Sequence, residues 1–224
     1  MLIVLEGLDG AGKSTQVKML REYLQTIYRR VTYIHFPRYN APLYGELIGR
    51  FLRGDFGKLE QVHPQLVALL YAEDRHHAVD KILDGLGEGA VLLDRYVYSN
   101  LAYQCAKLPD PKEREELREW IVDTEFGLFG EPRPDVNIFL DVPISFVEES
   151  LARNREGSDR NYLEGRQDIH ESNIEFQKKV RAMYLRQAEL DESLKVVDCA
   201  DKTGHMLIPD AIFEKIKDIV NERI

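Results

Sequence analysis

The sequence predicts an α/β fold with a central parallel sheet, and two observations carry that prediction. Five short apolar runs rich in β-branched residues recur along the 224 residues, and segments with helical periodicity separate them. Strands that are buried on both faces read as continuous apolar runs, and alternation with helices favours parallel pairing through right-handed crossovers. We therefore expect one domain, residues 1–224, in which helices on both faces of a five-stranded sheet make three layers.

Each element follows from its local pattern. The predicted strands are LIVLE (2–6), VTYIHF (31–36), AVLLD (90–94), VNIFLDV (136–142) and LKVVD (194–198). Apolar residues at helical spacing predict helices over 13–28, 64–83, 99–106, 114–126, 144–151, 170–189 and 208–220. Residues 153–166 hold four arginines and two glycines but almost no apolar side chains. This segment cannot pack into a core, so we expect a short charged lid.

Charge and composition exclude several classes of protein. The net charge is −9, from 30 basic and 39 acidic residues, which argues against a nucleic-acid backbone as the main partner. Cys105 and Cys199 lack metal-ligand or redox spacing, so we expect buried thiols in a reducing compartment. The apolar start MLIVL is too short for a signal-peptide core, and no run approaches the roughly 20 apolar residues of a membrane span. A cytoplasmic protein without a membrane anchor is expected.

The first strand leads into a phosphate-binding motif. Residues 7–14 fit the pattern G-x-x-x-x-G-K-[ST], with a strand before and a helix after it, as a P-loop requires. The backbone N–H groups of such a loop face phosphate oxygens, its lysine reaches the outer phosphates, and its hydroxyl takes a magnesium position. The residues expected to bind the phosphates are Gly7, Asp9, Gly10, Ala11, Gly12, Lys13, Ser14 and Thr15.

Apart from Lys13, this loop carries no cation, and Asp9 adds a negative charge to it. Phosphoryl transfer needs neutralisation of the migrating group, so further cations have to come from elsewhere. The lid arginines Arg153, Arg155 and Arg160 are the expected source, although a charged run can also be a merely solvated surface.

Four motifs together resemble the thymidylate kinase family. They are EGLDGAGKST (6–15), FPRY (36–39), DRYVYSNLAYQ (94–104) and RNREGSDRNYLE (153–164), and they extend over most of the chain in the family's order. The match is to the bacterial form, which keeps its catalytic arginines in the lid. The resemblance implies a nucleoside monophosphate kinase fold and transfer of the γ-phosphoryl group of ATP to dTMP, with Mg²⁺.

The resemblance also implies roles for residues of these motifs. Arg95 is expected to grip the dTMP phosphate, and Arg75 to donate to thymine O4. Tyr103 is expected beneath the sugar, where a 2′-hydroxyl would clash. The implied catalytic residues are Lys13, Asp9, Arg95, Arg153, Arg155 and Arg160. The implied dTMP contacts are Asp9, Phe36, Arg38, Tyr39, Tyr71, Arg75, Arg95, Asn100, Tyr103 and Tyr162, and the implied metal positions are Ser14 and Asp94.

Three of these roles carry further expectations. Asn100 is expected to offer both a donor and an acceptor to the thymine edge. The charge of Asp9 is expected to be offset by metal-bound water, by the Tyr39 hydroxyl or by the sugar hydroxyl of dTMP. Asp94 is expected to contact the metal shell or, alternatively, to pair with Lys13 or Arg95.

Some alternatives stay open from the sequence. The lid motif common in the family is D-R-x-E, whereas residues 159–164 here read DRNYLE. Neither Asp159 nor Glu164 is therefore assigned as catalytic. A deoxynucleoside kinase and a regulator that binds ATP without transferring phosphate are the rival functions. A homodimer formed through helices near residues 43–83 is expected from the resemblance.

Overall fold

The computed structural model describes residues 1–59, 61–153, 158–166, 168–171 and 173–224. Its sheet has five parallel strands in the order β2-β3-β1-β4-β5. The strands are β1 (Leu2–Gly7), β2 (Val31–His35), β3 (Ala90–Asp94), β4 (Val136–Asp141) and β5 (Leu194–Asp198). All five predicted strands are confirmed within about one residue.

Helices cover the sheet and connect its strands. They are α1 (Lys13–Ile27), α2 (Tyr44–Leu52), α3 (Pro64–His76), α4 (Val79–Glu88), α5 (Val97–Cys105), α6 (Pro111–Val122), α7 (Ile144–Ala152), α8 (Ile174–Leu190) and α9 (Pro209–Asn221). A π-helical segment, Asp123–Leu128, follows α6, and a 3₁₀ segment, Ser158–Leu163, lies in the predicted lid. The α/β prediction is confirmed.

The core lies between the sheet and two groups of helices. Helices α1 and α9 pack on each other and on the sheet, whereas α5 packs on α3, α6 and α8. The strands β1 and β3 are buried along their whole length, which explains their continuous apolar runs. Among the described residues, no helix has the length and apolar character needed to cross a membrane. Cys105 and Cys199 are free and buried, as expected.

Two helix predictions were wrong. Residues 64–83 do not form one helix, because the chain turns at His77 and Ala78, where the Ala78 N–H bonds the Arg75 carbonyl three residues back at 2.8 Å. Helix α2 was missed altogether. Its sequence contains two glycines that weaken the helical pattern. One of them, Gly45, is required by packing, since a Cβ there would lie 2.3 Å from the Arg38 carbonyl oxygen.

Candidate active site

The loop between β1 and α1 has the geometry of a phosphate cradle. Gly12 has φ 75°, a left-handed conformation that glycine adopts without a steric penalty, and it is the N-cap residue that precedes α1. The Lys13 side chain lies back along the loop, and its Nζ donates to the carbonyl oxygens of Gly7 (3.3 Å) and Leu8 (3.0 Å). Burial and the nearby Arg95 lower the pKa of Lys13 to about 8, against the opposing effect of neighbouring carboxylates.

A groove opens over this loop, and we call it the P-loop groove. Its lining includes every residue from Asp9 to Ser14, but not the predicted Gly7 or Thr15. Gly7 instead lies under the lysine, where a Cβ would be 3.3 Å from the Lys13 side chain. The rest of the lining comes from other elements: Tyr33, His35, Pro37, Arg38, Tyr39, Asn40, Asp94, Arg95, Phe146, Ser150, Asn161, Tyr162 and Glu171.

Asp94 offers an unpaired oxygen in the P-loop groove. Its Oδ2 lies 3.1 Å from His35 Nδ1, and its buried Oδ1 has no hydrogen-bond partner among the described residues. The expected ion pair with Lys13 or Arg95 is therefore replaced by a contact with His35. Burial raises the pKa of Asp94, but His35, Lys13 and Arg95 outweigh it and bring the pKa to about 2. An ionised carboxylate with a spare oxygen, in the same groove as the exposed Ser14, suits a hard cation such as Mg²⁺.

A second cavity adjoins the groove, and we call it the inner cavity. It gathers residues from several of the predicted motifs, although these lie far apart in sequence. Its lining consists of Asp9, Phe36, Pro37, Tyr39, Leu52, Tyr71, Arg75, Arg95, Ser99, Asn100, Tyr103, Gln104, Tyr162, Asp168 and His170. Of the residues predicted to contact dTMP, all but Arg38 are in this lining.

Asp9 lies where the two cavities meet, and its charge is balanced there by the protein itself. Arg95 Nη2 donates to Asp9 Oδ1 at 2.7 Å, while the Tyr103 hydroxyl (2.9 Å) and Gln177 Nε2 (3.0 Å) donate to Oδ2. Burial raises the pKa of Asp9, but Arg95 and Lys13 outweigh it and lower the pKa below its usual value. The expected partner Tyr39 makes no described hydrogen bond to Asp9, and Arg95, Tyr103 and Gln177 take that place, while metal-bound water and the sugar hydroxyl of dTMP stay predictions.

Arg95 owes its orientation to a buried acid that the sequence analysis missed. Arg95 has φ 68°, a strained left-handed conformation for a residue with a side chain. The fully buried Glu6 accepts hydrogen bonds from the backbone N–H groups of Tyr96 (3.0 Å) and Ser99 (3.2 Å), and from the Tyr184 hydroxyl (3.0 Å). These bonds fix the turn that follows Arg95. Glu6 looked like an ordinary strand residue because it ends the apolar run LIVLE.

The far end of the inner cavity is built around Arg75. This side chain is 2% exposed, and its Nε and Nη2 both donate to Glu125, the latter at 2.7 Å. Asn100 Nδ2 donates to Glu125 Oε1 (2.8 Å) and to the Ala68 carbonyl (2.9 Å), so the amide donor is used within the protein. The expectation of a free donor at Asn100 was wrong. Its buried Oδ1 has no partner among the described residues and is the available acceptor.

The FPRY motif divides between the two cavities. Phe36 is 1% exposed and lines the inner cavity, and the peptide bond to Pro37 is cis. Arg38 lines the groove instead, where its Nε bonds Asp74 Oδ1 (3.0 Å) and its Nη2 bonds the Asp74 carbonyl (2.6 Å). Tyr39 lines both, and its ring stacks on Tyr162 with centroids 3.7 Å apart.

The predicted lid is described in part. Arg153 is exposed on its surface, 3.9 Å from Glu149, and it lines neither cavity. Arg155 and the side chains of Asp159 and Arg160 lie outside the described residues. Glu164 bonds Arg53 at 3.2 Å, away from the loop.

Glu171 lines the P-loop groove together with Asp9 and Asp94, and the sequence analysis missed it. Its signal was the tetrapeptide DIHE (168–171), which matches D-x-x-E and begins nine residues after Asp159.

Behind Arg75 lies a second buried acid, Glu131, which gives a testable pH dependence. Neither of its carboxylate oxygens has a hydrogen-bond partner among the described residues, and it is 3% exposed. Burial and the neighbouring Glu125 raise the pKa of Glu131 to about 9, against the opposing effect of Arg75. The native protein therefore holds a proton there that the unfolded chain releases above its normal carboxyl pKa.

Because the folded pKa is raised, the stability that this proton supports is lost progressively as the pH rises towards 9. Glu131→Gln keeps a neutral side chain of the same shape and removes the titration. We expect the variant to gain unfolding free energy relative to wild type as the pH rises from 6, reaching roughly 2 kcal/mol at pH 8. Urea unfolding at several pH values measures this gain, with the exposed Glu192→Gln as control. Parallel pH curves for wild type and Glu131→Gln would refute the buried proton.

Comparisons with known proteins agree with this geometry. Residues 5–207 match the protein family described as thymidylate kinase. A thymidylate kinase from Mycobacterium tuberculosis (strain ATCC 25618 / H37Rv) is 36% identical over 186 residues, which cover 82% of this chain and 84% of that protein. A probable thymidylate kinase from Thermococcus kodakarensis is 35% identical over 208 residues and 90% of each chain.

Solved structures give the same result. The structure of thymidylate kinase from Candida albicans matches with a TM-score of 0.72 at 27% identity, covering 99% of this chain and 91% of that one. The family match extends over most of the chain, and it includes the P-loop, the FPRY and DRY motifs and the segment that carries Glu171. The chain belongs to the thymidylate kinase family.

Proposed function

We propose that this protein transfers the γ-phosphoryl group of ATP to the phosphate of dTMP, giving ADP and dTDP for nucleotide biosynthesis. The observation that carries the proposal is that Asp9, Tyr39 and Arg95 belong to the linings of both cavities. A donor phosphate in the P-loop groove and an acceptor phosphate at the mouth of the inner cavity would therefore meet. Such a reaction depends on positioning and charge neutralisation more than on a strong base, since the acceptor is already an oxyanion.

On the donor side, the loop from Gly7 to Thr15 binds the ATP phosphates. Lys13 exchanges its contacts with loop carbonyls for the outer phosphates, which suits a flexible ammonium group. Ser14 and Asp94 hold Mg²⁺, and the spare Asp94 oxygen supports that assignment. The metal supplies positive charge against the phosphates. Glu171 lines the same groove and is the acidic residue that we assign to the side of the groove next to the lid.

On the acceptor side, Arg95 grips the dTMP phosphate through its planar guanidinium group. Asp9 and Tyr103 hold that group in place through a shared set of hydrogen bonds. Tyr103 also borders the sugar and disfavours a 2′-hydroxyl. Arg38, anchored on Asp74, adds positive charge from the groove.

Base recognition takes place at the far end of the inner cavity. Arg75, fixed by Glu125, donates to thymine O4, and the unpaired Asn100 Oδ1 accepts from thymine N3–H. Tyr71 and Phe36 pack against the rings of the nucleoside. Cytosine presents an amine and an unprotonated N3 at these positions, so it would oppose both contacts. Buried polar groups left unpaired by a wrong ligand are the strongest source of such discrimination.

Residues 153–166 act as a lid within a single domain, 1–224. Closure brings Arg153, Arg155 and Arg160 to the transferred phosphoryl group, which the loop itself cannot neutralise. The stacking of Tyr162 on Tyr39 supports a direct connection between this segment and the acceptor mouth.

We also propose a cytoplasmic homodimer formed through residues 43–83. Large apolar side chains on this stretch are exposed in the isolated chain, which supports a partner there. They are Leu43, Phe56, Leu66, Leu69 and Leu83.

The function is tested by initial rates of ADP formation with ATP, Mg²⁺ and either dTMP or dCMP. We expect kcat/KM for dTMP to exceed that for dCMP by at least about 1000-fold, because two buried polar contacts are lost together. dTDP should be the product on chromatography. Equal rates with both acceptors would contradict the base contacts, and no transfer to dTMP would contradict the function.

A further inference from the structure

The wall of the inner cavity contains a polar atom that the proposed dTMP contacts leave unused. His170 is 5% exposed and lines this cavity, and its Nε2 has no hydrogen-bond partner among the described residues. Buried polar side-chain atoms are nearly always hydrogen-bonded, and leaving one unpaired costs about 1–3 kcal/mol. A ligand that supplies the missing partner would recover part of that cost on binding.

The position of His170 identifies the part of the acceptor that it faces. Its ring lies 5.2 Å from the ring of Tyr103, between centroids, and its carbonyl accepts from Gln177 Nε2 at 3.0 Å. Tyr103 and Gln177 both donate hydrogen bonds to Asp9 Oδ2. His170 therefore belongs to the Asp9 end of the cavity, apart from the Arg75 end where the base is expected. The sugar of the acceptor lies between the phosphate and the base.

The surroundings hold this ring in a fixed orientation. Phe51 and Phe176 pack against it with centroid distances of 5.6 Å and 5.4 Å. The backbone N–H of His170 donates to Asp168 Oδ1 at 2.7 Å, and the other oxygen of Asp168 accepts from the Tyr162 hydroxyl. A ring that packs against two aromatic side chains and is fixed at its backbone is well suited to present one nitrogen to a ligand.

The chemistry of a neutral imidazole limits which chemical groups of a ligand could bond Nε2. Burial, together with Lys107 and Arg95, lowers the pKa of His170 well below its usual value, against the opposing effect of Asp9. In a neutral imidazole, Nε2 is a donor in one tautomer and an acceptor in the other. A hydroxyl group can satisfy either tautomer, whereas a carbonyl oxygen can satisfy one.

We propose that His170 Nε2 hydrogen-bonds the 3′-hydroxyl of the acceptor's deoxyribose, which makes His170 a specificity-determining residue for the sugar. This inference rests on the proposed function. In dTMP the 5′-oxygen is esterified and the 2′-position carries no oxygen, so the 3′-hydroxyl is the one free hydroxyl that the sugar offers. The site is expected to disfavour acceptors whose 3′-oxygen is missing or blocked.

The test compares the binding of two acceptors to wild-type protein and to variants of His170. The acceptors are dTMP and 3′-deoxythymidine 5′-monophosphate, and Kd is measured by titration calorimetry in the absence of ATP. We expect His170→Phe to weaken dTMP binding by about 5-fold to 10-fold, the loss of one neutral hydrogen bond. The same change should alter Kd for the 3′-deoxy acceptor by less than about 2-fold, since that acceptor has no hydroxyl to lose.

Two further variants separate hydrogen bonding from packing. His170→Gln retains a group that can donate or accept, and it should recover most of the dTMP affinity. His205→Phe is the matched control, because His205 is an exposed histidine that lines neither cavity and lies outside the proposed dimer interface. It should leave both Kd values unchanged.

The outcomes distinguish the inference from the function on which it rests. If His170→Phe weakened both acceptors equally, or neither of them, the 3′-hydroxyl contact would be refuted while dTMP kinase activity could stand. If wild-type protein neither bound nor phosphorylated dTMP, the proposed function would be refuted first.

Discussion

Replacing Arg95 with methionine is expected to lower kcat/KM for dTMP by about 1000-fold or more. The change removes the guanidinium group proposed to grip the acceptor phosphate, and buried charge-assisted contacts of this kind are worth several kcal/mol. Asp9 also loses its 2.7 Å ion-pair partner in a largely buried site, and the hydrogen bonds from Tyr103 and Gln177 offset its charge only in part. We therefore expect a fall in unfolding free energy of roughly 3 kcal/mol as well. Steady-state kinetics and urea unfolding measure the two effects.

A second variant separates the catalytic loss from the loss of stability. Asp9→Asn combined with Arg95→Met removes both charges of the pair and should restore most of the stability without restoring turnover. The exposed Arg186, which pairs with Glu189 on the surface of α8, provides the control Arg186→Met. If Arg95→Met kept more than a tenth of wild-type kcat/KM, Arg95 would not be the acceptor's main phosphate contact.

Replacing Lys13 with methionine is expected to reduce kcat by about 1000-fold and to weaken ATP binding. The loop has no second cation, so no other loop residue can replace the lost charge near the outer phosphates. The effect should also show in the pH dependence. Since the pKa of Lys13 is about 8 in the free protein, wild-type affinity for ATP should fall as the pH rises from 7 to 9. In the variant this pH dependence should be absent.

Fluorescence titration with an ATP analogue at each pH measures the affinity, and initial rates measure kcat. Lys18→Met is the matched control, because Lys18 lies exposed on the same helix. A pH dependence that persisted unchanged in Lys13→Met would show that another group titrates there.

The sheet could be predicted from sequence because its signals are local. Each strand is a short apolar run, and β1 and β3 are buried along their whole length in the fold. Helix α2 could not be predicted in the same way. Gly45 lets α2 lie close to the carbonyl oxygen of Arg38, and that contact exists only once the chain has folded. The glycine therefore conflicts with the local helical pattern while satisfying the tertiary packing.

The site residues that lie in sequence motifs could be predicted. The residues that support them from distant parts of the sequence could not. Asp9, Arg95 and Tyr103 lie in recognisable motifs, and the structure brings them together. Their supports do not lie in motifs. Gln177 comes from the first turn of α8, where it reads as an ordinary helix residue, and Glu125 comes from a π-helical segment that helical periodicity cannot reveal.

Asn100 is an example of a predicted role that changed because its hydrogen-bond partner could not be predicted. Its place at the inner cavity followed from the DRY motif, but the loss of its donor depended on Glu125, which is 25 residues away in sequence. The base contact therefore had to be revised from two hydrogen bonds to one. The proposed contact that remains would still favour thymine, because N3–H is the donor that an unpaired acceptor requires.

The most direct test of the account compares dTMP with thymidine as phosphate acceptor, using ATP and Mg²⁺ with the wild-type protein. Arg95, held between Asp9 and Tyr103, is proposed to bind a phosphate that thymidine lacks. We expect kcat/KM for dTMP to exceed that for thymidine by at least about 1000-fold. Phosphorylation of thymidine at a comparable or higher kcat/KM would contradict the account, because Arg95 would then have no acceptor phosphate to bind.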